Sequence, residues 1–468
     1  MKKCISLLLT VLLLAACAAV PARAAEDAAF VPVLRFIAAS DSHVRAENDV
    51  TADRIGRMLR QTYALADSGE TYQNLDALVM AGDLTNNGTP EEFDKFWAAV
   101  SSEKRDGTQF LGVVAKNHDG WTMNRKDMRA YYTALTGEAP DFHRVINGFH
   151  FIGLSAAEDD SVHYSDAQLK WLKAQLDAAV ADAPGRPVFF IHHEHNRNTV
   201  YGSSTFDGWG ITPFRRILRQ YPQVVDFSGH SHYPLNDPRS IWQGRYTAIG
   251  TGALAYSEFT IDDVRAYDPP DCEQTATYWI VEVNAAGDLH LCGMDAVAGV
   301  RLCEYQIANP ADKANRDYTP LKQRAASRPP VFDDSTAIKT EVTEPGTVRI
   351  TVPAAQSTDR TPVVLYRLTV RNALGAVVNR QWVLPAYDRA DPPKTVAFAQ
   401  DGLAKGTYTF LVTAETAYGV RSKALRATVT LDDGADGVKA FVNTLLRPLR
   451  RAAEFLWNRL IGRYLIRR

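Results

Sequence analysis

The sequence predicts an α/β layered domain followed by an all-β sandwich. From Val31 to about Cys303, short apolar runs alternate with helical patterns, as in layered α/β architectures. After Pro330 apolar residues recur at every second position, with no helical period before Asp433. Between the two lies Ala308 to Pro330, with four prolines and scattered charges, which reads as a linker or wrapping strap. A chain of 468 residues with 46% hydrophobic and 23% charged residues has room for two or three domains, each with its own core. That composition excludes disorder, a collagen-like rod and a multi-span membrane protein.

In chain order, Lys2 and Lys3 precede an apolar run from Ile5 to Ala16 that is too short to span a bilayer and has the form of an export leader. Two processing readings compete. Leu14-Ala15-Ala16-Cys17 has the form of a lipobox, which would acylate Cys17, and this is the preferred one. Ala22-Arg23-Ala24 fits ordinary leader cleavage after residue 24. Either way the expected location is outside the cytoplasm: periplasmic, membrane-anchored as a lipoprotein, or secreted. There, Cys272, Cys292 and Cys303 allow at most one disulfide, of unreadable pairing.

The catalytic unit is expected over residues 31–307. Its strands are expected at Val33 to Ala38, Ala77 to Ala81, Phe110 to Ala115, Phe149 to Leu154, Val188 to Ile191 and Val224 to Phe227. Helices are expected at Ala52 to Asp67 and Asp166 to Ala181, the second opened by Ser165 and Gln168 at capping-box spacing. Arg245 to Ile249, Thr277 to Val283 and Leu289 to Leu291 read as strands without intervening helices. The strap takes residues 308–330 and the sandwich residues 331–432, with alternation at Val348, Ile350, Val352, at Tyr366, Leu368, Val370 and at Tyr408, Phe410, Val412. The run from Tyr408 with Tyr418-Gly419 after it is similar to the last strands of fibronectin type III domains.

Residues 437–468 read as a basic amphipathic helix divided at Pro448. Residues 438–468 hold eight Lys or Arg and one Glu, so this segment carries +7 while the rest of the chain sums to −9. Its apolar stripe either packs on the protein or a second subunit, or lies on an anionic membrane surface beside a lipidated Cys17. The acidic remainder argues against a catalytic domain that grips nucleic acid by bulk charge.

Five of the apolar runs end in residues that bind metals. They lead to Asp41-Ser42-His43, Gly82-Asp83, Lys116-Asn117-His118-Asp119, His192-His193 and Gly229-His230-Ser231-His232. Strand carboxyl ends form the ligand edge of open α/β sheets, so all five clusters can face one site. Asp41, His43, Asp83, Asn117, His192, His230 and His232 oversupply a single zinc, whereas two divalent ions sharing a carboxylate use them all. Mixed oxygen and imidazole donors suit Zn, Mn or Fe, and no Cys lies in any cluster.

In that order and spacing the motifs resemble those of the calcineurin-like metallophosphoesterases. The resemblance implies a core of two β-sheets flanked by helices, a four-layer arrangement. It also implies Asp41, His43 and His232 on one ion, Asn117, His192 and His230 on the other, Asp83 bridging, and His118 beside the phosphoryl group as proton donor or charge stabiliser. Three departures stand out. Lys116 replaces the usual Gly before Asn-His; Asn86 stands where purple acid phosphatases carry a metal-binding Tyr; and His193 rivals His192 as the ligand. Asn86, Asn87, Lys116, Arg239 and Tyr256 are candidate substrate contacts. The expected reaction is hydrolysis of phosphodiesters. Phosphomonoesterase or nucleotidase activity, and a surface-binding protein with a vestigial metal site, are the alternatives.

Overall fold

The computed structural model describes residues 30–204, 210–260, 266–269, 271–359 and 361–435. The leader with Cys17 and the basic segment 437–468 lie outside the described residues.

Strands β1 (Pro32–Ala39), β2 (Ala77–Ala81) and β3 (Gln109–Val113) pair in parallel and are linked by helices α1 (Val50–Asp67) and α2 (Pro90–Glu103). Helix α2 begins at a Thr89–Glu92 capping box with Pro90 in its first turn, a start set by local hydrogen bonding alone. Helix α3 (Arg125–Thr136) leads into the hairpin β4 (Phe142–Ile146) and β5 (Phe149–Gly153). Then come α4 (Asp166–Asp182), opened by the Ser165–Gln168 capping box, β6 (Val188–Glu194), the short α5 (Arg215–Leu218), β7 (Val224–Gly229), β8 (Ile241–Gln243) and β9 (Thr247–Gly250). A two-residue pair, β10 (Phe259–Thr260) and β11 (Ala266–Tyr267), precedes β12 (Thr277–Asn284), β13 (Leu289–Asp295) and β14 (Val300–Ile307).

These strands form two six-stranded sheets, ordered β14-β13-β12-β1-β2-β3 and β4-β5-β6-β7-β9-β8. Alternation along each strand divides the apolar side chains among three cores. Leu34, Phe36 and Ala38 meet Phe151, Phe189 and Phe227 between the sheets. Ile37, Leu78 and Met80 pack under α1, α2 and α3 with Ile55, Phe93 and Tyr132. Ile152 and Phe190 pack on the far side with Leu172, Leu176 and Phe214. The layer order is therefore helices, sheet, sheet, helices. It explains why strands buried on both faces read as unbroken apolar runs.

The strap is not wholly irregular, because α6 (Pro320–Ala326) forms within it, capped by Thr319. Strands β15 (Lys339–Glu344), β16 (Thr347–Pro353), β17 (Val363–Asn372), β18 (Val377–Val383), β19 (Thr395–Gln400), β20 (Gly406–Thr416) and β21 (Leu425–Leu431) follow. They build a three-stranded sheet, β15-β16-β19, and a four-stranded sheet, β18-β17-β20-β21. One core fills the space between them, supplied by alternate residues such as Ile350, Leu368 and Phe410. The loop between β18 and β19 leaves this sandwich and enters the catalytic half. Tyr387 stacks on Phe259 at 5.0 Å and donates its hydroxyl to Asp237 at 3.1 Å, while Ser257 donates to buried Asp388 at 2.6 Å.

Cys272, Cys292 and Cys303 are all free thiols. Cys303 sits opposite Gly293 in the β13–β14 register, so Cys292, one residue earlier, points to the other face of the sheet and cannot bridge to it.

Candidate metal centre

The clusters converge at the carboxyl ends of β1, β2 and β3 in one sheet and β6 and β7 in the other. Asp41 and His43 follow β1, Asp83 follows β2, and Asn117 and His118 follow β3; His193 is on β6, and His230 and His232 follow β7. Three overlapping groups of donor atoms result, each drawn together within 4.8 Å: Asp41 with His43 and His232, His43 with Asp83 and His118, and Asp83 with His193 and His230. Asp83 Oδ2 lies 3.1 Å from His193 Nε2 and 3.9 Å from His43 Nε2, so this carboxylate reaches both ends of the cluster. Asp41 Oδ1 lies 3.2 Å from His232 Nε2, and Asn117 Nδ2 donates to Asp83 Oδ2 at 2.9 Å, which turns the amide oxygen the other way.

The local backbone is bent to make this possible. Of eight non-glycine residues with positive φ among the described ones, five are Asp41, His43, Asp83, His230 and His232. Left-handed φ is costly outside glycine and concentrates at functional sites, where surrounding structure enforces it. Gly82, at φ 86°, must lack a side chain because a Cβ there would strike the His193 ring. Gly229 must do so because a Cβ would strike the Asp41 carboxylate. Lys116, which occupies the position of a family glycine, is not among the positive-φ residues, so the change from glycine is accommodated without strain.

The electrostatics are those of a cation site. Burial pushes the Asp41 carboxyl up, but His232 and His43 outweigh it and hold it well below the usual range. Burial likewise opposes, and His193 overcomes, the shift that leaves Asp83 low. Burial lowers His43 and His230 to about 4, whereas His193 and His232, facing Asp83 and Asp41, are raised against the same burial. Asp83 Oδ1 and Asn117 Oδ1 are buried with no hydrogen-bond partner. Orphaned buried polar atoms cost about 1–3 kcal/mol each, and two of them on Asp83 and Asn117, beside donor groups that each gather within 4.8 Å, are what a divalent metal ion would satisfy. The residues present therefore fit bound metal.

His192 is not in this cluster; His193 is. Along β6, Phe189 and Ile191 face the core between the sheets and Phe190 faces the outer helices, so His192 follows Phe190 outward. It stacks on Phe190 at 4.9 Å and bonds Asp226 at 2.7 Å, fully buried. His195 is held between the hydroxyls of Ser228 and Ser231.

His118 donates through Nδ1 to the Asn86 carbonyl at 2.8 Å, and its ring centroid lies 4.1 Å from that of His43. Asp119 accepts from Thr85 N at 2.9 Å and Ala115 N at 2.8 Å, tying the loops after β2 and β3 together. Burial and the neighbouring Asp83 raise its carboxyl to about 7.

Of the candidate substrate contacts, Asn86 reaches the site through its carbonyl and Tyr256 through its ring, 4.3 Å from His232. Lys116 Nζ meets His163 Nε2 at 3.2 Å, and His163 Nδ1 lies 3.3 Å from Glu194. Two others are engaged with neighbouring residues. Asn87 is committed to Glu92 through both its backbone and side-chain amides, because that glutamate is building the α2 cap. Arg239 is paired with Asp237 and lies over the Tyr201 ring at 3.7 Å, next to the sandwich seam. Sequence reasoning missed Trp121, whose ring sits 3.9 Å from that of His118; an isolated Trp in a polar loop carries no periodic signal.

Residues 34–234 match the calcineurin-like phosphoesterase family. A glycerophosphodiester phosphodiesterase, GpdQ, of Enterobacter lignolyticus is 24% identical over 259 residues, covering 52% of this chain and 87% of the relative. A probable cyclic nucleotide phosphodiesterase of Rhodococcus erythropolis is 29% identical over 161 residues, 33% of this chain and 50% of that protein. A cAMP/cGMP dual specificity phosphodiesterase of Mycobacterium tuberculosis is 28% identical over 191 residues, covering 39% and 55% respectively. The chain thus spans about half the length of the last two.

Proposed function

The chain carries a calcineurin-like phosphoesterase domain over residues 34–234 and is a metal-dependent phosphoester hydrolase, and we propose that it cleaves phosphodiesters with two divalent ions bridged by Asp83. The observation that carries the two-ion reading is the sharing of Asp83 between a group with His43 and His118 and another with His193 and His230. Asp41, His43 and His232 would hold one ion; Asn117, His193 and His230 would hold the other. Such ions supply water activation and charge neutralisation at the phosphoryl group.

His118 does the rest of the chemistry. Its Nδ1–H is spent on the Asn86 carbonyl, which fixes the ring and leaves Nε2 for the substrate. As imidazolium, Nε2 hands a proton to the departing alkoxide or holds a phosphoryl oxygen. Asp119 keeps the loops bearing Asp83, Asn117 and His118 in register through its bonds to Thr85 and Ala115. The preference for diesters is supported by the phosphodiesterase relatives. The leader pattern at Lys2 to Ala24 supports placing the reaction outside the cytoplasm.

The test is turnover of a chromogenic bis-aryl phosphate and of its monoester, alongside metal analysis. Diester hydrolysis with the higher kcat/KM and two equivalents of metal is expected. Faster monoester hydrolysis would favour a phosphomonoesterase or nucleotidase, and a folded protein that takes up no metal would mark the site as vestigial.

A further inference from the structure

We propose that Trp121 contacts the substrate, and that the preferred phosphodiesters carry a planar aromatic or heteroaromatic group stacked on its indole. This rests on the phosphodiesterase reading of the same site. Trp121 follows the short turn His118–Gly120, and its ring lies 3.9 Å from the His118 ring with the planes tilted by 36°. The His118 ring is 4.1 Å from His43, His43 is 5.0 Å from His232, and His232 is 4.3 Å from Tyr256. An unbroken row of rings thus runs from Trp121 across the Asp41–His43–His232 group to Tyr256.

Most apolar residues on a surface stand singly and mean nothing. Trp121 differs because it is 59% exposed while packed against the histidine placed beside the reacting phosphoryl group. Its loop is pinned on both sides: Thr122 donates to the Asn87 carbonyl at 2.6 Å, and Asn124 accepts from Asp127 N at 3.0 Å to cap α3. A rigid indole held open at the mouth of a polar site offers a π-face at little entropic cost, and the groups that gain from a π-face are flat and aromatic. Alkyl arms of a diester gain much less. The chemistry is that of a nucleobase or an aryl ester.

The experiment compares kcat/KM of the metal-loaded full chain on 3′,5′-cyclic AMP and on bis-glycerol phosphate, in the wild type, Trp121→Phe and Trp121→Leu. The aromatic-over-alkyl ratio is expected to fall about tenfold in Trp121→Leu, mainly through KM, as loss of one base stack does. In Trp121→Phe, which keeps a ring, it should stay within about threefold. An unchanged ratio in Trp121→Leu would overturn the inference with the phosphodiesterase reading intact. So would a Trp121→Leu protein that has lost its metal, or a Trp121→Phe ratio that falls as far, since either makes the residue structural. A wild type that cleaves monoesters but neither diester removes the underlying reading, and the inference with it.

Discussion

His192→Ala and His193→Ala are expected to fail in different ways. His193 faces Asp83 and His230, so its loss should empty one metal position and abolish turnover while the fold persists. His192 is bonded to Asp226 inside the outer core. Its loss should leave metal stoichiometry intact but leave one oxygen of the buried Asp226 carboxylate unpaired, the other still held by Asn196, lowering stability by roughly 1–3 kcal/mol. Metal analysis and a denaturant melt on both variants decide it; metal loss from His192→Ala would reverse the assignment. By the same reasoning Asn117→Ala should lose metal, whereas His118→Ala should keep it and lose about 10²-fold or more in rate. The choice between adjacent histidines could not be read from the sequence. Parity decides it, and a strand buried on both faces has no polar side to anchor the parity. The remaining ligands were legible because each ends an apolar run. Their left-handed backbone was not, since nothing in the identity of Asp41 or His230 announces a φ of 52° or 74°.

At the scale of elements, the central strands and the capped helix α4 follow from apolar run length and one Ser–Gln spacing. The short β4, and the helix inside the strap, carry patterns too brief to separate from loop. The seam between the two halves was invisible for a different reason, because it depends on one loop of the sandwich. Composition suggests that residues 31 to about 310 stand alone as the catalytic unit. The structure shows what truncation before Pro329 would uncover: Phe259, packed with Val364, Leu365 and Tyr387, and the polar partners Asp237 and Ser257. The truncated chain is therefore expected to be less soluble or markedly less stable than the full chain. Tyr387→Ala in the full chain should lower stability by about 3 kcal/mol, as removal of a buried aromatic with its hydrogen bond does. A truncated chain that melts with the full-length protein and stays soluble would show that the seam contributes little.

At the scale of the whole molecule, metal and fold are linked through the two sheets. Asp41, His43, Asp83 and Asn117 come from one sheet and His193, His230 and His232 from the other, so an ion bound by both sets ties the sheets together. Bound metal should then stabilise the protein, by about 2.7 kcal/mol at a free concentration one hundred times Kd, and a chelator should remove that increment. The sign of the pH dependence follows from the histidines. His193 and His232 are raised above their ordinary value in the metal-free cluster, where they face carboxylates held low by them, while His43 and His230 sit at about 4 and are neutral at pH 7. A metal ion must displace the two raised protons, because only the neutral imidazole is a ligand. Lowering the pH favours those protons, so the metal-induced rise in Tm should shrink from pH 8 to pH 6. Calorimetric titration should likewise show proton release whose apparent enthalpy follows the ionisation enthalpy of the buffer. A Tm increment that stays constant across that range, with no buffer dependence, would mean that His193 and His232 are already neutral before metal arrives.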